Sequence, residues 1–269
     1  MSKIVKLRPY LKNAVWGTES WVVSSHENGE STVDDAALSS FFRLNYLIKF
    51  IDTHKNLSIQ VHPNDENAKN ESWFILDHKE GAGIYLGFKK GVTKKEFSNA
   101  LVAGAKIDQF LNFIPVKKGD YFFIPAGTVH AIGADVKLAE IQQSSDTTYR
   151  VWDWNRMGLD GKPRELHIDK ALEVLNFKNV NQVHIDTNEF KDQLTKLYKF
   201  NGIEIEMLQL NSDKELEFKL AKESSLTLID GAISVDGEDL QAEQSMIAVE
   251  DGTFTIKANK DSRVLITRS

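Results

Sequence analysis

The run Gly119-Asp-Tyr-Phe-Phe-Ile-Pro125-Ala-Gly127-Thr-Val-His130 constrains this chain more than any other. Gly-Asp opens a turn, an apolar strand follows, and Pro125-Ala126-Gly127 makes a second tight turn. Proline fixes φ and glycine accepts positive φ, so the pair suits a sharp corner between short strands. His130 starts the next strand, with its imidazole placed to point into the mouth of a β-barrel, where ligand sites tend to lie. An earlier stretch offers companions. Leu57-Ser-Ile-Gln-Val-His62 alternates, which puts Gln60 and His62 on one strand face and Ile59 and Val61 on the other. Polar groups turned inward need partners, and a metal is such a partner.

The pattern G-x5-P-x-G-x2-H resembles the second signature of the cupin superfamily, in which that histidine is commonly a metal ligand. Glu71, nine residues past His62 and just before the apolar run Trp73-Phe-Ile-Leu76, extends the set. The expected ligands are therefore Gln60, His62, Glu71 and His130, a mixed nitrogen and oxygen set without thiolate, since the chain has no Cys. Imidazole plus carboxylate suits zinc, with a position left for water or substrate. Mn, Fe, Co and Ni fit the same ligand types.

With 269 residues the chain can bury one large β domain or two smaller ones. A net charge of -6 argues against nucleic acid as the main partner, because phosphate backbones call for clustered Lys and Arg. No apolar run is long enough for a membrane span, and Met-Ser-Lys-Ile-Val-Lys-Leu-Arg lacks a signal core. Absence of Cys fits a reducing cytoplasm. Oligomeric state leaves no mark in the sequence.

Short strand-like runs dominate: residues 20–23, 44–51, 57–61, 73–76, 84–88 and 121–124. Thr93-Lys-Lys-Glu96 is a capping box that predicts a short helix through Phe97, Leu101 and Val102. Further short helices are expected over 107–113 and 172–175. Beyond residue 200, alternation in Ile203–Leu210 and Glu215–Phe218, with Asp-Gly pairs at 230, 236 and 251, reads as a second strand-and-turn unit. It has no His after His184, so it cannot repeat the histidine site. The expectation is a mainly β chain of two jelly-roll (cupin) barrels with a few short helices: residues 1–178 holding the metal, residues 179–269 forming a His-poor partner, and the seam around 176–190.

Around the ligands stand Lys49-Phe-Ile-Asp52, Leu57-Ser-Ile-Gln-Val-His-Pro63, Lys69-Asn-Glu-Ser-Trp73, Pro125-Ala-Gly-Thr-Val-His-Ala-Ile132 and Ala139-Glu-Ile-Gln-Gln-Ser-Ser-Asp-Thr-Thr-Tyr-Arg150-Val-Trp-Asp-Trp154. In this order they resemble the type I mannose-6-phosphate isomerases in their short bacterial form, over residues 12 to about 175. The resemblance implies one Zn2+ per chain on Gln60, His62, Glu71 and His130, and interconversion of mannose 6-phosphate and fructose 6-phosphate. Arg150 matches the arginine regarded as catalytic. Lys69, Glu140 and Asp146 match other positions near the family's active site, with Asp146 and Arg150 on the substrate. The chain departs from the usual Lys-Thr-Glu at Lys69-Asn70-Glu71, and its loop from His62 to Glu71 is shorter than in many members.

Isomerisation through a cis-enediol requires a base near the C–H bond, an electrophile for the carbonyl oxygen and an anchor for phosphate. Arg150, permanently charged and planar, suits an oxyanion or a phosphate. Glu140 is the favoured base, which asks for a partly dry pocket. His26, His54, His78, His167 and His184 have no companion at ligand spacing and are expected in packing or on the surface. Competing readings are an isomerase of another phosphosugar and a non-catalytic sugar-phosphate-binding or regulatory cupin; the ligand set together with Lys69 and Arg150 argues against the second. Oxygen chemistry is disfavoured because Gln60-x-His62 stands where metal-dependent cupin dioxygenases usually have His-x-His.

Overall fold

The computed structural model describes residues 3–178, 183–189 and 191–269. Strands dominate, and among the described residues α-helix is confined to Lys94–Val102 and Ile168–Val174. None of the described helices is long and apolar enough to cross a membrane. The chain divides into two compact units, one of Lys12–Glu19 with Ile51–His184, the other of Met1–Leu11, Ser20–Phe50 and Ile185–Ser269. Of the expected seam, residues 179–182 and 190 lie outside the described residues.

In the first unit, five strands pair in the order Leu111–Pro115, Gly83–Phe88, His130–Ile132, Ile59–Val61 and Tyr149–Trp152. Three more, Asp120–Ile124, Glu71–His78 and Val136–Gln143, pair antiparallel with Glu71–His78 in the middle. Alternation gives the five-stranded sheet two buried faces. Ile84, Leu86 and Ile132 pack with Trp73, Ile75, Phe122, Ile124 and Leu138 of the other three strands. Ile59, Val61, Ala131 and Val151 face the opposite way and meet Phe97, Ala171 and Leu175. Each such burial contributes about 1.5–3 kcal/mol. The strand Asp120–Ile124 is buried along its whole length, which explains why Tyr121–Ile124 reads as a continuous apolar run instead of an alternating one.

The local signals around His130 behave as their chemistry demands. Gly119 and Gly127 both adopt positive φ, 88° and 83°, and the Gly127 amide donates to the His62 carbonyl at 2.9 Å, joining the two histidine segments. Thr93 caps the helix Lys94–Val102 reciprocally: its hydroxyl accepts from the Glu96 amide at 3.2 Å, while Glu96 Oε2 accepts from the Thr93 amide at 3.0 Å. Phe97 then meets Phe88 edge to face, 4.8 Å between ring centroids. The helix expected over 107–113 does not form. One 3₁₀ turn, Asp108–Phe110, leads into the strand Leu111–Pro115, because Leu111 and Phe113 alternate and pair with Phe88 and Tyr85. The helix expected over 172–175 is longer and earlier, Ile168–Val174.

The other unit contains a six-stranded sheet in the order Ile4–Lys6, Ser245–Ala248, Ser225–Asp230, Ser262–Arg268, Ile203–Leu210 and Leu194–Phe200. A four-stranded sheet runs Glu215–Leu220, Gly252–Ala258, Ala232–Val235 and Glu238–Gln241. Leu208, Leu226, Leu228, Val264 and Ile266 of the first sheet share a core with Ile233, Leu240, Phe254 and Ile256 of the second. Asp236-Gly237 forms a two-residue hairpin with φ of 49° and 84°, the backbone that an Asp-Gly pair favours in a type I′ turn.

Candidate metal centre

Register builds the site. Gln60 lies directly opposite His130 on one side and Arg150 on the other, so these three side chains form a row on one face of the five-stranded sheet. Among the three-stranded group, Glu71 opposes Ile124 and Gln142, and Trp73 opposes Phe122 and Glu140. The two faces meet: the Trp73 ring stands edge-on to His130 at 5.5 Å between centroids, and His62 Nε2 lies 3.0 Å from Glu71 Oε1.

His62, Glu71 and His130 are each buried, and they offer donor atoms close enough together to hold one metal ion. Their tautomers decide what those atoms can do. His62 Nδ1 is 2.8 Å from the Thr147 carbonyl and His130 Nδ1 is 2.8 Å from the Thr128 carbonyl. A carbonyl only accepts, so each ring carries a proton on Nδ1, and in its neutral form it turns a bare lone pair inward from Nε2. Glu71 Oε1 and Oε2 face those lone pairs at 3.0 and 3.6 Å. In that form acceptor opposes acceptor. His62 Nε2 and Glu71 Oε2 accordingly lack a hydrogen bond, while Glu71 Oε1 faces Lys69 Nζ at 2.6 Å. A buried acceptor left so costs about 1–3 kcal/mol, and two of them converging is what a metal cation would relieve at once. Carbonyls that fix the outer nitrogens of ligating histidines are the usual support of metal-binding imidazoles.

Charge agrees with this reading. Burial alone would raise the Glu71 carboxyl, but the Lys69 ammonium leads the effects that outweigh it and hold it well below the ordinary carboxylate range. Burial pushes His130 down to about 4, which keeps it neutral and able to bind metal. Lys69, itself buried, places Nζ 2.6 Å from Glu71 Oε1 and 4.0 Å from Glu140 Oε1. It stands just before the strand Glu71–His78, not on it.

The remaining expected residues fall around this centre. Gln60 Oε1 takes the Ser58 hydroxyl at 3.2 Å, and its Nε2 lies 3.4 Å from His130 Nε2; a half-turn of the amide would present its oxygen to the triad instead. Glu140 is buried, and its Oε2 accepts from Trp73 Nε1 at 2.8 Å. Arg150 is half-buried and donates from Nη1 to the Glu165 carbonyl at 2.7 Å. Burial and the neighbouring Arg164 and Arg156 push its guanidinium down, with Asp153 opposing them. Asp146 is exposed, one residue before the Thr147 carbonyl that holds His62.

Three contributors escape a reading of the sequence. Trp73 orients Glu140. Asn70 donates to Gln143 Oε1 at 2.6 Å and accepts from the Ala126 amide at 2.9 Å, bracing Glu71 against the turn before His130. His167, expected in packing or on the surface, accepts the Arg150 amide on Nδ1 at 3.1 Å. The first two had a visible signal, their places beside Glu71, while the role of His167 depends on a pairing across seventeen residues.

No protein-family model matches the chain. Over 232 residues it is 33% identical to mannose-6-phosphate isomerase ManA of Bacillus subtilis, covering 70% of this chain and 73% of that protein. The crystal structure of the Bacillus subtilis mannose 6-phosphate isomerase superposes with a TM-score of 0.84 at 25% identity over the whole of both chains. A zinc-bound mannose 6-phosphate isomerase shares the fold at a TM-score of 0.75 and 15% identity, again over both whole chains. Identity of this extent, spread over nearly three quarters of a known isomerase, places the chain in the mannose-6-phosphate isomerase family.

Proposed function

We propose that the protein interconverts mannose 6-phosphate and fructose 6-phosphate at a zinc site on His62, Glu71 and His130, with Gln60 as fourth donor through its amide oxygen. The observation that carries this reading is the convergence of bare, buried lone pairs in a chain of this family. Two neutral imidazoles and a carboxylate fit zinc, and the set lacks the thiolates of closed structural sites. Bound zinc would polarise or orient the sugar's oxygens. Glu140 is assigned as the base that takes the proton from C2 of the aldose and returns it to C1, through a cis-enediol. Trp73 Nε1 holds its Oε2, and its Oε1 lies 4.0 Å from Lys69 Nζ. Lys69 supplies positive charge beside Glu71 and Glu140, and Arg150 supplies it at the end of the Gln60 row, to an oxyanion or to the phosphate. Asp146 is assigned to the substrate, at the exposed edge of the site.

In the same reading each unit is a jelly-roll barrel of the cupin kind. The unit with the triad is catalytic and the His-poor one is its structural partner. The substrate is a small hexose phosphate, with neither nucleic acid nor membrane as partner, and the compartment is the cytoplasm.

The test is turnover of mannose 6-phosphate by purified protein, before and after chelation and with zinc restored. Activity lost on chelation and regained with zinc supports both reaction and site. Metal bound without turnover would point to another phosphosugar or to a binding protein.

A further inference from the structure

The segment from Asp153 to His167 forms a closed strap on the chain just after Arg150. It begins with two consecutive positive-φ residues, Trp154 at 58° and Asn155 at 51°. Such backbone persists in non-glycine residues only where surrounding contacts over-determine it. The contacts are present. Trp154 Nε1 donates to the Leu57 carbonyl at 2.6 Å, and Arg156 Nη1 donates to the Asn56 carbonyl at 2.6 Å. Both anchors lie immediately before the strand that carries Gln60. A small hairpin follows, with Met157 bridged to Pro163 and the Gly158 amide donating to the Lys162 carbonyl at 2.7 Å.

Asp153 closes the strap. Its Oδ1 accepts from Arg156 Nε at 3.1 Å, from Arg156 Nη2 at 2.7 Å and from Arg164 Nη2 at 2.6 Å, and its Oδ2 accepts from Arg164 Nε at 2.7 Å. The carboxylate is 5% exposed, so these bonds form out of water, where paired charges interact strongly. Next to Arg164, the Glu165 carbonyl receives Arg150 Nη1 at 2.7 Å. His167 then binds the Arg150 backbone twice, accepting its amide at 3.1 Å and donating its own amide to the Arg150 carbonyl at 2.8 Å. Arg150 Nε has no hydrogen bond among the described residues, so the Glu165 carbonyl is what restrains the guanidinium's rotation.

We infer that Asp153 and Arg164 are positioning residues for Arg150: their buried ion pair sets the Glu165 carbonyl, and that carbonyl aims the Arg150 fork along the Gln60 row. This rests on the isomerase reading, in which Arg150 meets the substrate. Asp153 and Arg164 act at one remove, through the strap. A misplacement of about 1 Å in a catalytic group can cost on the order of a hundredfold in rate, so a loosened strap is expected to register in turnover.

The experiment is a cycle of Arg164→Gln against Arg150→Lys, reading kcat/KM for mannose 6-phosphate, zinc content and thermal midpoint. Arg164→Gln leaves Asp153 paired with Arg156, so the chain keeps its fold. A lysine at 150 lacks the planar fork that the Glu165 carbonyl aims. The expected result is a roughly tenfold or greater fall in kcat/KM for Arg164→Gln in the native background at unchanged zinc content, and little further fall in the Arg150→Lys background. Arg164→Lys, which keeps the charge pair, should recover part of the loss. Equal fold-losses in both backgrounds, or no loss in the native one, would overturn the inference. A native protein without turnover of mannose 6-phosphate would instead overturn the isomerase reading, and this inference with it.

Discussion

His130 is the residue on which the site turns, and its two nitrogens have separate jobs. Nδ1 is committed to the Thr128 carbonyl, and Nε2 faces Glu71. Removing the ring in His130→Ala should therefore abolish zinc binding as well as turnover; zinc content unchanged from the native protein, by metal analysis after dialysis, would remove His130 from the ligand set. Arg150 makes the opposite prediction. It stands at the far end of the row, beyond Gln60, so Arg150→Ala should lose most turnover, on the order of a hundredfold or more as for other preorganised charge stabilisers, while zinc stays bound. Normal activity at intact fold would refute its assignment. The two variants separate holding the metal from using it.

At the scale of elements, the start of the strand Glu71–His78 is braced from both sides. Asn70 reaches Gln143 at the end of Val136–Gln143 and Ala126 in the turn before His130. Asn70→Ala leaves the half-buried Ala126 amide without its acceptor, while Gln143 Oε1 keeps the backbone amide of residue 70, so it should cost about 0.5–1.5 kcal/mol in denaturant unfolding and weaken zinc binding. A variant as stable and as zinc-avid as the native chain would show the brace to be idle. Asn70 also marks the limit of legibility. The departure from Lys-Thr-Glu is visible in the sequence, but its two partners, 56 and 73 residues away, are not. The Thr93 and Glu96 cap, the Asp236-Gly237 hairpin and the Gly119 and Gly127 corners are legible because each is settled within a few residues. The alternation that places Gln60 with His62 is local as well. Over 107–113 local reading failed, since pairing with Gly83–Phe88 outweighed helical propensity. Trp73 looked like core and is core, but its indole N–H is spent on Glu140, a partner that only sheet register supplies.

For the whole molecule, protonation ties the site to stability. With burial holding His130 down to about 4, the folded protein refuses a proton that the unfolded chain, with histidine near 6.5, accepts. That contribution is fully present above about pH 6.5 and is lost as pH falls toward and through 4. Glu71, also held low, acts in the same direction below the ordinary carboxylate range. Zinc-free protein should therefore become steadily less stable in urea between pH 7 and pH 4, and a flat profile across that range would count against neutral His130. Zinc should raise the thermal midpoint at pH 7, by about 2.7 kcal/mol of stability at a hundredfold excess over its dissociation constant, and lose this effect under acid as protons take the same lone pairs. A ribosome delivers the chain one segment after another. Ile4 pairs with Ala248 and Lys6 with Met246, so this strand cannot join its sheet partner until residues 246–248 have emerged. The metal-site unit, drawn almost entirely from Ile51–His184, has no such wait. Nascent chains stalled past residue 220 should resist protease across 51–184 while the segment around Ile4 is still cut, so a strand made before the metal-site unit is secured after it.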